Sequence, residues 1–205
     1  MGRRGGPAAG AMMGVMKPVK RSVAVVVRRP GGAADAGAPA GGEFLVVRRP
    51  DDPDDPLAGA WGLPAVTLLD GEDERAAVAR AGRVKLGVEL APGARIGEKA
   101  ADRGGYLLRL ADYEATVLAG VPSVPQPDES MTQYTEYRYT ADPGTLAEAA
   151  GRGSLCARVF LDSLARAEEL GGTPWPGNIY ARAAAPSGVR MHKLRRDGRL
   201  PFTSQ

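Results

Sequence analysis

The sequence predicts an α/β fold built on a mixed β-sheet, and three observations carry that expectation. Two β-branched runs, residues 21–29 (RSVAVVVRR) and 43–49 (EFLVVRR), read as buried strands. From Glu72 to Leu86 the apolar residues Ala76, Ala77, Val78, Ala79, Val84 and Leu86 sit among charged ones in a helical pattern. Late in the chain Leu155, Val159, Phe160, Leu164 and Leu170 recur at helical spacing. A chain of 205 residues accommodates one domain of ordinary size together with tails.

Taken in order, residues 1–20 read as a flexible leader. Their arginines precede an Ala/Gly/Met stretch too short and interrupted for a signal peptide, and Met16 offers a second start. The two strand runs follow, separated by the Gly/Ala/Pro loop 30–42. Segment 50–60 (PDDPDDPLAGA) is broken by three prolines and reads as a loop. In the helix from Glu72, Asp73 and Glu74 occupy the first turn, where the helix dipole favours acids, and Gly87 supplies the stop. Gly82 in its interior costs about 1 kcal/mol against alanine, so this helix requires tertiary support.

Beyond it, residues 94–100, 106–111 and 113–121 read as three strands, 121–130 as a proline-broken loop, and 133–140 (QYTEYRYT) as a half-exposed strand. Tyr137 and Tyr139 share one face of that strand and Tyr134 lies opposite. Helices over 143–150 and 155–170 close a domain spanning 21–170. The tail, 171–205, carries Trp175 and Tyr180 as docking anchors and then six Arg/Lys against one acid, Asp197. That basic tail suits contact with an acidic partner.

The formal charge of +3 and pI near 9.2 are too mild to indicate a nucleic-acid binder. A single cysteine, Cys156, excludes an internal disulfide and a cysteine-rich zinc site, and it reads as a buried structural thiol. One histidine, His192, in a Pro/Gly/Arg-rich tail, argues against a histidine-based metal centre or a Ser-His-Asp triad. There is no apolar run of transmembrane length, and the expected location is the cytoplasm.

Residues 61–88, WGLPAVTLLDGEDERAAVARAGRVKLGV, resemble a Nudix (MutT-like) box, the loop-helix-loop with which that family holds magnesium against a diphosphate. The family pattern reads Gly, five residues, Glu, seven residues, then Arg-Glu-U-x-Glu-Glu-x-Gly-U, with U an aliphatic. Here Glu72 falls on the first glutamate, Arg80 on the arginine, Gly87 on the late glycine and Val88 on the closing aliphatic, while Trp61, Pro64 and Gly71 complete the frame. The opening glycine is Val66, and the three later glutamates are Ala81, Val84 and Lys85. The resemblance implies a Nudix-type α/β/α sandwich with mixed β-sheets, the box helix on one sheet face and the late helix on the other. It also implies a Glu72–Arg80 salt bridge closing the loop onto its helix, and a homodimer.

Magnesium needs several hard oxygen ligands, and a helix face of methyl, isopropyl and ammonium groups supplies none, so no cofactor is expected from this box. The function then reads as a Nudix-fold protein that binds a phosphorylated or nucleotide-like small molecule, or that runs a repurposed, metal-independent reaction. The ligand-binding candidates are Lys85, Arg83, Tyr137 and Tyr139. Lys85 reads as an ammonium set against phosphate or as a solvated helix lysine; the tyrosines read as stacking platforms or as cover for the sheet. The catalytic candidates are Asp128, Glu129 and Glu136, in the region where some family members place an additional glutamate as base. One alternative is an active pyrophosphohydrolase of a nucleoside diphosphate derivative, with magnesium on relocated ligands, Asp70, Glu72 and Asp73. The other is a non-enzymatic sensor or interaction module.

Overall fold

The computed structural model describes residues 16–29, 42–125 and 133–170, and its centre is strand β1 (Val19–Arg28). Residues 23–27 of β1 are fully buried, and the two-residue period of a strand divides them between the faces. Val23, Val25 and Val27 join the core under the first helix, and Ala24 and Val26 the core under the last. Burial on both faces is why this stretch reads as a continuous apolar run. β1 pairs antiparallel with β2 (Phe44–Arg48) and β4 (Ala65–Thr67), and in parallel with β6 (Leu107–Ala119). β3 (Trp61–Gly62) and β7 (Glu136–Thr140) add to β2, and β5 (Glu89–Asp102) adds to β6. The result is one mixed sheet of seven strands, ordered β3-β2-β1-β6-β5 with β4 and β7 off that path.

Helix α1 (Glu74–Ala81) covers one face through Ala77, Val78 and Ala81. The short α2 (Ala147–Gly151) and the longer α3 (Leu155–Glu169) cover the other, where Phe160 meets Phe44 with ring centroids 4.9 Å apart. Among the described residues no helix is long and apolar enough to cross a membrane.

The elements depart from the sequence reading at several places. β1 begins at Val19, inside the stretch read as leader, because Leu107 and Leu108 of β6 continue the parallel ladder to Val19 and Lys20. The three strands expected over 94–121 are two, since Asp112 does not interrupt β6 and Pro92 is accommodated in β5, the last strand of the order, where a missing N–H does no harm. The helix expected over 143–150 opens as a 3-10 turn, Pro143–Leu146, before α2.

The box helix also changes character. Asp73 is its cap rather than part of its first turn, accepting from the N–H groups of Arg75 and Ala76 at 2.9 and 3.0 Å. At Gly82 the regular helix widens into a π turn, Gly82–Leu86, which Gly87 closes at φ 63°. A Cβ on Gly82 would lie 2.5 Å from Cγ of Leu90 and 2.9 Å from the carbonyl oxygen of Val88. The glycine therefore serves close approach of β5 to the helix. Gly82→Ala is expected to destabilise the protein by about 1–3 kcal/mol through overpacking, despite the gain in helix propensity. A urea midpoint equal to or above that of the natural protein would contradict this.

Candidate functional site

The loop before α1 is pinned by one pair. The Arg80 guanidinium donates from Nε to Glu72 Oε1 at 2.8 Å and from Nη2 to Glu72 Oε2 at 2.7 Å, and Nη2 also reaches the Thr67 carbonyl at 2.7 Å. Glu72 Oε2 accepts in addition from the N–H of Leu69 at 2.9 Å. The two side chains are mostly withdrawn from solvent, 17% and 12% exposed. The hydrogen bonds from Arg80 hold the Glu72 carboxyl below the usual carboxylate range, and the same contact raises the guanidinium. The bridge implied by the family resemblance is thus present, and it fixes the loop against the end of β4.

On the far side of that clamp lies a cleft of about 660 Å³. Among the described residues its charged walls are Lys20 from β1, Arg49 after β2, Arg80 from α1, Lys85 from the π turn, Arg103 from the β5–β6 turn and Arg152 after α2, against one acid, Asp55. Several of these cations are held in place. Arg49 Nε donates to Asp55 Oδ2 at 2.5 Å. Arg152 binds the carbonyls of Pro56 and Ala58 and the Glu148 carboxylate, each at 2.9 Å, so it staples the proline-broken loop to the cleft wall. Arg103 donates to the Gly153 carbonyl at 2.8 Å, and the Lys20 ammonium lies 5.6 Å from the centre of the Tyr106 ring. A side chamber of about 170 Å³ adjoins the cleft and runs between the sheet and α3.

A larger depression, about 830 Å³, lies on the other side of the box loop. Its charges are of both signs and largely neutralise one another: Glu74 accepts from the Tyr113 hydroxyl at 2.6 Å and from Arg21 at 2.8 Å, with Arg95 at 3.4 Å. The field of one sign belongs to the cleft.

The sequence candidates divide between these surroundings. Lys85 lines the cleft and is 3% exposed, with its ammonium 5.5 Å from the centre of the Tyr134 ring, so it is not a solvated helix lysine. It lies one turn beyond Ala81, on the buried side of the helix. Arg83, two residues earlier, is exposed and does not line the cleft. Tyr137 and Tyr139 pack against the core beneath α1 from β7, and Tyr139 lies under the Arg29 guanidinium at 4.8 Å, so neither faces the cleft as a stacking platform. Tyr134 is the buried tyrosine of the group. Its hydroxyl accepts from the N–H of Ala65 at 3.2 Å in the side chamber, and burial pushes that hydroxyl up to about 12.

Glu136 is exposed on β7 and paired with Arg48 at 2.9 Å. Asp128 and Glu129 lie outside the described residues, as do Trp175, Tyr180 and the basic tail. Of the relocated metal set, Asp70 is exposed in the box loop, Glu72 has both oxygens on Arg80, and Asp73 caps α1. Among the described residues no three His, Cys, Asp or Glu side chains converge to hold a metal ion. Lys20, Arg49, Arg103 and Arg152 carry no signal in the linear sequence, because four different elements bring them together. Cys156 is buried in the chamber wall beside Ser154, its sulfur 3.1 Å from that hydroxyl, and burial pushes the thiol up.

No family model matches the chain. Over 81 residues, 38% of its length, the chain is 42% identical to a Mycobacterium tuberculosis protein named "Putative 8-oxo-dGTP diphosphatase 2", found in two strains. The chain spans about half, 55%, of the length of those relatives. Among solved structures, the MutT protein of Methanosarcina mazei Go1 superimposes with a TM-score of 0.52 at 21% identity, covering 78% of this chain and 99% of that one. A NUDIX hydrolase from Nitrosomonas europaea gives 0.53 at 18% identity, covering 73% and 90%. The E. coli ORF135 protein gives 0.52 at 18% identity, covering 84% and 96%. The seven-stranded mixed sheet with helices on its two faces is accordingly the fold of the Nudix hydrolases.

Proposed function

We propose that this Nudix-fold protein binds a phosphorylated or nucleotide-like small molecule in the basic cleft, with lysine and arginine side chains balancing the phosphate charge in place of magnesium. The observation that carries this reading is Lys85. It is buried on the cleft wall, at a position where the family pattern has a glutamate, and among the described residues it stands with five further cations and one acid. Phosphate oxygens in such a cleft gain charge-assisted hydrogen bonds. Positions 81, 84 and 85 offer no carboxylate oxygen, so on this reading metal-assisted hydrolysis is absent and any chemistry falls to the chain's own groups.

Calorimetry with inorganic pyrophosphate in EDTA is expected to show binding that weakens as salt is raised. Lys85→Gln is expected to lower that affinity about tenfold, the loss of one contact to a charged group. Unchanged affinity in both Lys85→Gln and Arg103→Gln would remove the cleft as the binding site.

A second reading, an active pyrophosphohydrolase of a nucleoside diphosphate derivative with magnesium on Asp70, Glu72 and Asp73, is favoured by the name of the mycobacterial relative. Incubation of 8-oxo-dGTP with the protein and magnesium decides between the two. Steady release of diphosphate, abolished by Glu72→Gln, would establish the second reading.

A further inference from the structure

We infer that the phosphorylated ligand ends in a compact, uncharged apolar group, about one ring or five carbons in size, which enters the side chamber between the sheet and α3. This rests on the phosphate reading of the cleft. The chamber and the cleft share six wall residues, Arg49, Leu57, Ala65, Arg103, Leu108 and Leu110, so they adjoin. Two of those six, Arg49 and Arg103, are cations at the threshold, and they place phosphate at the mouth. Beyond them the walls are Trp61, Leu63, Tyr134, Leu155 and Cys156, and among the described residues no carboxylate lines the chamber.

The deep walls offer a ligand little polar chemistry. The Tyr134 hydroxyl takes the N–H of Ala65, and the Ser154 hydroxyl is engaged with the Cys156 sulfur and the N–H of Ala157. A nucleobase edge carries several donors and acceptors, and burying them here without partners is unfavourable. Size gives the same answer. The chamber holds about 170 Å³, and an apolar cavity of about 150 Å³ takes a single benzene ring. A fused purine with its sugar exceeds that space, whereas a five-carbon chain or one six-membered ring fills it. The cleft therefore recognises the charge of the ligand and the chamber selects its organic part.

The test uses the full chain in EDTA with three probes: inorganic pyrophosphate, dimethylallyl diphosphate and dGDP. Calorimetry is expected to show pyrophosphate binding, dimethylallyl diphosphate binding at least tenfold more tightly, and dGDP within threefold of pyrophosphate. Cys156, the one cysteine of the chain, reports on the chamber directly. Saturating dimethylallyl diphosphate is expected to slow its modification by methyl methanethiosulfonate at least fivefold, on the order of the occupancy imposed, while pyrophosphate leaves the rate unchanged. Pyrophosphate and dimethylallyl diphosphate binding equally, or dGDP matching the five-carbon ligand, would overturn the chamber assignment and leave the phosphate reading standing. Equal slowing by pyrophosphate and dimethylallyl diphosphate would overturn it too, as general stabilisation. Absence of any pyrophosphate binding would overturn both.

Discussion

At pH 8 the Asp112→Asn protein is expected to be more stable than the natural one by about 1–3 kcal/mol, and near pH 4 the two are expected to match. Asp112 sits in the middle of β6, between Ala24 of β1 and Gly97 of β5. The alternation of β6 puts it on the same side as Leu108 and Leu110, under α3. It is 0% exposed, and neither carboxylate oxygen has a hydrogen-bond partner among the described residues. Burial pushes its carboxyl well above the usual carboxylate range. The nearby Cys156 thiol is also pushed up, first by burial and then by the Asp112 charge.

The direction of the pH effect follows from these facts. Below the ordinary aspartate value both folded and unfolded chains hold the proton, and the acid costs the fold no ionisation. As pH rises past that value, the unfolded chain releases its proton while the folded chain retains it, so stability falls until the folded carboxyl itself titrates. Asparagine keeps the shape and cannot ionise. Urea unfolding from pH 4 to 9 should therefore give two curves that meet at the acid end and diverge above it. Parallel curves would show that Asp112 does not titrate in this way.

Arg80→Ala is expected to destabilise the protein by about 3 kcal/mol, within the range for removing one partner of a largely buried ion pair. The substitution deletes both bonds to Glu72 and the bond to the Thr67 carbonyl, and leaves a carboxylate that is 12% exposed without its cation. Because Arg80 depresses the Glu72 carboxyl, the natural pair contributes fully above the ordinary glutamate value and is lost as pH falls through the folded one. The acid limb of the stability curve should consequently move to higher pH in Arg80→Ala. A double-mutant cycle with Glu72→Gln isolates the pair, and additive losses would show that the two side chains are not coupled.

What could be read from the sequence was local. The buried β1 and the Gly87 stop each depend on residues within one element, where periodicity and turn chemistry act directly, and the Glu72–Arg80 pair was implied by the resemblance of residues 61–88 to a family box. The cleft was only half legible. Lys85 stood out as a departure from a pattern, but its place in a cleft depends on walls contributed by other elements, which no local spacing reveals. Lys20 and Arg152 lie far apart in the chain and meet only because β1 and the end of α2 reach one cleft. Asp112 misled for the opposite reason. A polar residue between two apolar runs ordinarily marks a strand end, and here the ladder on both sides carries the strand through it.

The parallel pairing of β1 with β6 also bears on how the chain reaches its fold. Val19 pairs with Leu107 and Arg28 with Thr116, so the ladder of the central strand joins distant parts of the sequence. Such long-range parallel pairings form slowly, because loop closure precedes any gain from contact. On a ribosome adding about 5–20 residues per second, the valine-rich run waits on the order of ten seconds for its parallel partner. The run Val23–Val27, fully buried in the finished protein, is during synthesis an unpaired apolar strand and a natural place for a chaperone to bind.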